Sequence, residues 1–389
     1  MPPPTFATPL PQSPRSDILE WRFPKPYHNL TLTGRSRAAW HTSFVIPQLN
    51  LLLDAGMVVN NLRPKHIFLT HGHSDHTLLT PAFVKRSDPP DIYCPAEMKD
   101  ALDNFINAKT MLSEGGGIWP PESTSPYLKK YDAYKTSAKE EGEPSANEND
   151  PPPQDPDQEP QPDPSSNSDS DSDPPPAPPH PLLQTHTIHP LHPSTTVTLP
   201  RLPPPQSYTA TAFACDHTVP CLGYLFSAVT RKLKPEYCGL SGAQLKALRE
   251  QTDDSGQAVE LTAPVATPVF AFLGDTTAKT LAAGPEWLGG DPPSKGGSGG
   301  GGGVKVVITE CSFLWEEHRT QAERTRHTIW ADLEPVVRRW PGVVFVLMHF
   351  SLRYSDKEVR EFFRGREGLG NVVVWVDGEG DGEGDGKSP

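Results

Sequence analysis

The sequence has few cysteines and no long apolar run. Its five cysteines, among 389 residues, include no CxxC pair. An odd, scattered set of this kind is typical of a reducing compartment. No stretch approaches the 18 consecutive apolar residues of a membrane span, and the N-terminus lacks the basic and apolar regions of a secretory signal. We therefore expect an intracellular protein of the cytoplasm or nucleus, with no membrane partner.

Basic residues are missing from one long segment. Residues 140–173 carry twelve Asp or Glu and no Lys or Arg, and the tail 377–389 has a net charge of −4. The whole chain has a formal net charge of −13, so the remaining residues carry +3. The acidic balance of the chain therefore does not exclude a nucleic-acid substrate.

Aliphatic and aromatic residues are almost absent from about 137–180. Such a segment cannot bury enough apolar surface to offset its ordering entropy, so we predict a disordered, acidic and Pro-rich insertion there. Residues 1–17 are Pro-rich and are also predicted to be disordered, and 284–303 hold a flexible Gly-rich loop. We predict one folded domain over 18–365, followed by a C-terminal strand and an acidic Gly-rich tail over 366–389.

Short apolar runs alternate with helical stretches along the rest of the chain. Residues 96–112 have apolar side chains at helical spacing, and 316–340 form a charged helical stretch. The predicted strands lie at 43–55 (two strands around a turn), 66–70, 195–200, 208–215, 223–231, 268–275, 304–310 and 343–350. This alternation indicates an α/β architecture.

The most specific motif is FLTHGHSDHTLL, residues 68–79. His71 and His73 are two apart, so they face the same side of an extended segment, and Asp75 and His76 follow in a turn. One short loop thus offers two nitrogens to one metal, and an oxygen and a nitrogen to a second. Imidazole and carboxylate ligands suit Zn²⁺, with Mn²⁺ or Fe²⁺ as alternatives. We predict a metal site here rather than a polar turn with incidental histidines.

One loop cannot complete two metal shells, so further ligands must come from other strand ends. His217 follows a predicted strand, Asp275 ends an apolar run and can bridge two metals, and His349 ends the strand at 343–348. Each has an ordinary alternative when taken alone, as a surface-loop histidine, a helix cap and a hydrogen-bonded histidine respectively. Because the loop at 68–79 needs partners, we favour the ligand interpretation of all three.

These motifs, in this order, resemble those of the metallo-β-lactamase superfamily. Within it, the segments HTVPCLGYLFSAVTRKLKPEYCGLSGAQLKAL (217–248), ITECSFLWEEH (308–318) and LMHFSLRY (347–354) resemble ribonuclease Z, the tRNA 3′-processing endonuclease, in its short form. The resemblance covers roughly 28–112 and 187–363. It implies a four-layer αββα sandwich and an enzyme that removes the 3′ trailer from precursor tRNA.

The resemblance also implies a ligand set. Two zinc ions would share seven ligands: His71, His73 and His217 on the first, Asp75, His76 and His349 on the second, and Asp275 between them. Asp54 would support the ligands from behind.

Further roles follow from the same resemblance. Glu310 and His327 match a pair that assists proton transfer to the leaving group, and Asp75 would orient the attacking water. Ser351 and Arg353 match residues that contact phosphate. Precursor tRNA is the expected partner, and a second copy of the chain is another, because family members are often homodimers.

Two alternatives remain at this point. The family's projecting arm usually carries a lysine-bearing Gly-Pro motif, and none occurs between 231 and 268. The first alternative is another hydrolase of the same fold, acting on a small phosphodiester or thioester. The second is a non-catalytic relative that binds a partner through the acidic insertion.

Overall fold

The structure is a computed structural model. It describes residues 2–10, 18–59, 62–84, 88–113, 185–249, 251, 259–289 and 303–378. The predicted insertion at 137–180, most of the Gly-rich loop and the acidic tail from 379 lie outside the described residues. The chain divides into two compact units, Met1–Ile106 with Thr185–Pro389, and Asn107–Gln184. Of the second unit only 107–113 are described, and they are helical.

Fifteen strands run through the described part of the chain. They are β1 Thr5–Pro9, β2 Leu19–Arg22, β3 Thr31–Arg37, β4 His41–Ile46, β5 Leu51–Leu53, β6 His66–Phe68, β7 Asp91–Pro95, β8 Thr187–Leu191, β9 Thr196–Thr198, β10 Tyr208–Ala214, β11 Leu222–Leu233, β12 Thr262–Phe272, β13 Val306–Glu310, β14 Val344–Met348 and β15 Val372–Asp377.

The described residues also form α-helices, most of which lie in the second half of the chain. They are α1 Ser74–Thr77, α2 Thr80–Phe83, α3 Lys99–Ser113, α4 Gly242–Arg249, α5 Lys279–Ala282, α6 Arg319–Thr325, α7 Trp330–Arg339 and α8 Asp356–Arg364. Short 3-10 turns occupy Pro47–Leu49, Ala96–Met98, Pro235–Tyr237, Glu286–Leu288 and Glu316–His318. No helix in the described ranges is both long and apolar enough to cross a membrane.

The strands hydrogen-bond in the order β8-β7-β6-β5-β4-β3-β2-β1-β15-β14-β13-β12-β11-β10-β9. Strands β1–β8 form one half and β9–β15 the other, and the parallel pair of β1 with β15 joins them. Aromatic side chains from the two halves meet edge to face, with ring centroids of Phe68 and Phe226 5.0 Å apart. One buried apolar cluster contains residues of both halves, so the sheet folds into a sandwich with its main core between the layers.

Helices cover the outer faces of both halves. Helix α7 and helix α8 contribute Trp330, Val337 and Phe363 to a second cluster on the outside of β13–β15. Helix α2 and helix α3 contribute Phe83, Leu102 and Ile106 to a third cluster, on the outside of β5–β7. The layers therefore run helix, sheet, sheet, helix, and the predicted αββα sandwich is confirmed.

The direction of the strands determines where the predicted ligand residues lie. Strands β12, β13 and β14 are parallel to one another, and so are β5 and β6. The carboxyl ends of parallel strands meet at one edge of a sheet, which is where ligands bind in such folds. The predicted ligands His71, Asp275 and His349 follow the ends of β6, β12 and β14, whereas His217 follows β10, which is antiparallel to its neighbours.

The predicted extent of the folded region needs two corrections. Residues 1–17 are not all disordered, because Thr5–Pro9 form β1 between β2 and β15. The proline content misled the prediction, since backbone pairing with two neighbours decides the state of this segment. The domain also does not end at 365, because β15 lies between β1 and β14 and its valines are buried. Residues 11–17 lie outside the described residues.

Candidate metal centre

The HxHxDH loop leaves the sheet at the end of β6 and enters α1. His71 and His73 precede the helix in extended backbone, and Asp75 and His76 lie in its first turn. His71 and His76 are fully buried, whereas His73 and Asp75 are half-buried. The extended and helical parts of the loop therefore present two separate pairs of ligand atoms, as the sequence spacing predicts.

The first group of ligand atoms comes from three histidines. The Nε2 atom of His71 lies 3.0 Å from Nδ1 of His73, and the Nε2 atom of His217 lies 3.3 Å from that same nitrogen. Oδ2 of Asp275 lies 3.7 Å from Nε2 of His71. These four residues offer one ligand atom each, all within 4.8 Å of one another.

The second group contains the other three predicted ligands. Nε2 of His76 lies 3.3 Å from Nε2 of His349, and Oδ2 of Asp75 lies 3.3 Å from Nε2 of His349. Oδ1 of Asp275 lies 3.3 Å from Nε2 of His76 and from Nε2 of His349. Asp275 thus turns one oxygen to each group, which is the geometry of a bridging carboxylate.

The spacing of these atoms fits metal coordination. Ligands at the 2.0–2.1 Å typical of zinc–nitrogen bonds stand roughly 3.3 Å apart at the corners of a tetrahedron. The nitrogen and oxygen separations of 3.0–3.7 Å agree with that edge length. In addition, Oδ1 of Asp275 is buried without a hydrogen-bond partner in the described part of the chain. A cation would satisfy this oxygen, so the residues fit a divalent metal pair.

The ring nitrogens that face away from the centre are anchored, which fixes each tautomer and ring orientation. Nδ1 of His76 lies 2.7 Å from Oδ2 of Asp54, which agrees with the supporting role predicted for Asp54. Nδ1 of His71 lies 3.0 Å from Oγ1 of Thr70, and that of His349 lies 3.0 Å from Oγ of Ser312. Nδ1 of His217 donates to the carbonyl of Arg326 at 3.1 Å.

Burial favours the neutral form of the first group. It lowers the pKa of His71 well below its ordinary value, and the nearby His76 lowers it further. Burial also lowers the pKa values of His73 and His217, although the charge of Asp275 opposes this effect. A neutral imidazole is the form that binds metal, so these rings need not lose a proton first.

Glu310 and His327 lie together beside the centre. Nδ1 of His327 donates to Oε1 of Glu310 at 2.9 Å, and the same carboxylate accepts from the backbone amides of Thr276 and Thr328 at 2.7 and 3.1 Å. Burial alone would lower the pKa of His327, but the charge and hydrogen bond of Glu310 raise it to about 9. His327 is therefore protonated at neutral pH, with its Nε2 free of the Glu310 contact.

The predicted phosphate contacts lie on the loop after β14. Ser351 is half-buried and Arg353 is exposed. Nε of Arg353 donates to Oγ of Ser351 at 3.1 Å, and its guanidinium stands 5.3 Å above the ring of Phe313. Both side chains lie within four residues of His349, and their phosphate role stays a prediction.

Apart from Asp54, sequence reasoning missed the groups that hold the ligands. Ser312 donates to Oε2 of Glu310 at 2.5 Å and contacts His349, so it ties the proton-donor pair to the second metal group. Arg326 accepts from His217 and donates to its carbonyl at 2.9 Å. The positions of Thr70, Ser312 and Arg326 next to predicted site residues were the only sequence sign of these roles.

Several of the turns at the centre use left-handed backbone. The φ angles are +55° at Asp54, +61° at His349 and +51° at Arg326. Side chains with a Cβ rarely adopt this region, and such residues cluster at functional sites because the surroundings must hold them there. The ends of β5 and β14 are therefore bent where the site needs their side chains.

Gly274, with φ +63°, provides a test of this packing. A Cβ there would lie 2.5 Å from Oγ1 of Thr70, and Thr70 contacts both His71 and Asp54. We expect Gly274→Ala to weaken metal binding by about 10–100-fold, the usual effect of disturbing a ligand's support. Metal titration of the purified variant measures the loss.

Gly284→Ala is the matched control for Gly274→Ala. Gly284 has a φ of +66°, and nothing lies within 4 Å of the Cβ position. It therefore shares the backbone strain without the clash. Equal metal affinities of the two variants would show that contact with Thr70 plays no part.

Comparison with known proteins identifies the fold family. Residues 51–207 match the family model described as "Metallo-beta-lactamase superfamily". Over these residues the chain is similar to the metallo-β-lactamase superfamily. This match and the His/Asp cluster together indicate a metal-dependent hydrolase.

Two proteins from Arabidopsis thaliana are similar in sequence to this chain. One, named "tRNase Z TRZ2, chloroplastic", is 22% identical over 337 residues, which are 85% of this chain and 70% of the relative. The other, "tRNase Z TRZ1", is 30% identical over 151 residues, 39% of this chain and 48% of the relative.

Solved structures also match. A human tRNase Z, short form, aligns with a TM-score of 0.39 and 14% identity, over 88% of this chain and 95% of that one. The metallo-β-lactamase fold protein YhfI of Bacillus subtilis aligns with a TM-score of 0.42 and 9% identity, over 88% and 95% of the two chains.

Proposed function

We propose that this protein is a member of the metallo-β-lactamase superfamily and a zinc-dependent endoribonuclease that removes the 3′ trailer from precursor tRNA. The observation that carries the proposal is the pair of ligand groups joined by Asp275, with Glu310 and His327 beside them. Zinc is the proposed metal because most of the donor atoms are imidazole nitrogens. The names of the two Arabidopsis relatives support tRNA as the substrate.

When bound, two divalent cations neutralise charge on a phosphodiester and lower the pKa of an attacking water. His71, His73 and His217 would be the ligands of one cation and Asp75, His76 and His349 those of the other, and Asp275 would bridge the two. Asp75 and His76 lie on α1, and the other five side chains follow the ends of β6, β10, β12 and β14.

Asp75 has a second proposed role, which is to orient the attacking water. The backbone amide of Ala39 donates to its Oδ2 atom at 2.9 Å, so the carboxylate is held in one orientation. Since His76 and His349 lower the pKa of Asp75 further than burial raises it, the carboxylate stays ionised and can accept a hydrogen bond from the water.

His327 is the proposed proton donor. Glu310 holds its Nδ1–H, so the Nε2–H faces the departing group and can pass its proton to the 3′-oxygen of the upstream ribose as the P–O bond breaks. The products are tRNA with a free 3′-hydroxyl and a trailer with a 5′-phosphate. Ser351 and Arg353, on the neighbouring loop, are proposed to contact the phosphates of the RNA.

A basic hairpin supports an RNA substrate. Strands β11 and β12 pair over ten positions out to Leu233 and Thr262. The far end carries Arg231, Lys232 and, on α4, Lys246 and Arg249, which are all exposed. Exposed cations on a projecting hairpin attract phosphates in a salt-dependent way.

The test uses the full chain with its metal content measured on the same sample. A precursor tRNA with a 3′ trailer should be cut after the discriminator base, to give a 3′-hydroxyl and a 5′-phosphate. Turnover of bis(p-nitrophenyl) phosphate without cleavage of the RNA would instead support a small-phosphodiester hydrolase. The homodimer and the cytoplasmic or nuclear location stay predictions, to be checked by sedimentation and by imaging of the tagged chain.

A further inference from the structure

The turn between β3 and β4 touches both sides of the second ligand group. The amide of Ala39 donates to Oδ2 of Asp75 at 2.9 Å, and the amide of Ala38 donates to the carbonyl of Phe350 at 3.2 Å. Phe350 directly follows His349. The turn is closed by the amide of Trp40, which donates to the carbonyl of Arg37 at 3.2 Å. The backbone of Trp40 is therefore held one residue from the contact with Asp75.

Buried charges hold this turn from behind. The guanidinium of Arg37 donates to the carbonyls of Ser351, at 3.2 Å, and Tyr354, and it pairs with Asp356 at 3.2 Å. Arg35 pairs with the same carboxylate at 2.8 Å. Both arginines are buried, and hydrogen bonds to an ionised partner are stronger than neutral ones. The turn and the loop after His349 consequently behave as one rigid piece.

The backbone of the turn is strained. Ala39 has a φ of +58°, a conformation that costs a residue with a Cβ of order 1 kcal/mol and persists only where neighbours impose it. A glycine would adopt it freely. The strain directs the next residue outward, and the Trp40 indole is 56% exposed, with its ring centroid 4.4 Å from that of His41.

A single exposed tryptophan usually means nothing. This one differs because its position is imposed, by an anchored and strained turn, at the edge of a site proposed to bind RNA. Aromatic side chains beside single-stranded nucleic acid stack on bases of any sequence. A rigid indole loses little conformational freedom when it does so.

We propose that Trp40 stacks on the base of the first trailer nucleotide, immediately downstream of the scissile phosphate. This inference rests on the proposed function. Asp75 orients the nucleophile and His327 protonates the leaving oxygen, so in-line attack puts the upstream nucleoside on the His327 side. The trailer is joined through an equatorial oxygen of the phosphorus, away from the leaving nucleoside. Because the Trp40 turn contacts Asp75 and not His327, we assign the base that Trp40 meets to the trailer.

The experiment compares two RNAs with two forms of the protein. The RNAs are precursor tRNAs whose first trailer nucleotide is normal or abasic, and the proteins are the native chain and Trp40→Ala. For the native chain, loss of the base should lower kcat/KM by about tenfold, the order expected for one base stacked on an aromatic side chain. For Trp40→Ala, cleavage of the normal RNA should be about tenfold slower, and removal of the base should have no further effect.

Three controls separate the outcomes. Trp40→Phe should keep most of the base dependence, because it keeps an aromatic ring. Trp315→Ala removes a similarly exposed indole, 49% exposed, and should cleave both RNAs like the native chain. If Trp40→Ala still responds to the abasic site as the native chain does, the stacking is wrong and the endonuclease proposal stands. If the native chain cuts neither RNA, the endonuclease proposal itself fails.

Discussion

Asp275→Asn is expected to lower the metal content from two equivalents to one or none and to abolish hydrolysis. Asp275 is 1% exposed and directs Oδ2 to the first ligand group and Oδ1 to the second. Burial raises the pKa of its carboxyl, but His349, His76 and His71 lower it well below the ordinary value. The carboxylate is therefore ionised and places a negative charge among these imidazoles. Asparagine keeps the volume and loses that charge and one of the two anionic oxygens.

The expected loss in kcat is at least about 10³-fold, because metal ions supply several kcal/mol of transition-state stabilisation. Metal content by atomic emission and turnover of bis(p-nitrophenyl) phosphate measure the two effects on one sample. Asp332→Asn is the control, because it removes one negative charge from a surface carboxylate that pairs with Arg319. It should keep both the metal content and the turnover. Retention of both metals with near-native turnover would remove the bridging role.

The ligand types could be predicted from the sequence because metal binding leaves few choices of side chain. His71, His73, Asp75 and His76 are adjacent in the chain, and His349 follows a run with the length of a strand. Parallel strands bring such ends to one edge whatever the rest of the sequence. The alternation of strands and helices predicted an α/β architecture, and the four-layer αββα arrangement was implied by the resemblance to the metallo-β-lactamase superfamily.

The supporting groups could not be predicted, because their partners are distant in sequence. Ser312 meets His349 across 37 positions and Arg326 meets His217 across 109. Serine and arginine also have many surface roles, so their presence near a ligand indicates little. The prediction that residues 1–17 are disordered was wrong for a related reason. The state of β1 depends on pairing with β15, 367 positions away, and the composition of β1 does not indicate that partner.

Glu310→Gln is expected to retain both metals and to slow RNA cleavage by about 10²–10⁴-fold, the range for loss of general acid catalysis. Glu310 accepts hydrogen bonds from Thr276, Thr328, Ser312 and His327. The amide of glutamine can accept hydrogen bonds only at its oxygen. Its NH₂ group would therefore face some of these donors and leave them without an acceptor, so the variant should also unfold at a lower temperature. Single-turnover cleavage and thermal unfolding distinguish the two effects.

A second variant makes the assignment to the Glu310–His327 pair specific. His327→Gln keeps a donor toward Glu310 and removes the acidic proton, so its loss in rate should equal that of Glu310→Gln, and the double variant should lose little more, as residues that act together do. Glu310 raises the pKa of His327 against the effect of burial. Glu310→Gln should therefore lower this pKa and move the alkaline limb of the rate to lower pH, since the donor must be protonated. Additive losses would show that the two residues act independently, and a changed metal content in Glu310→Gln would assign Glu310 to metal binding instead of proton transfer.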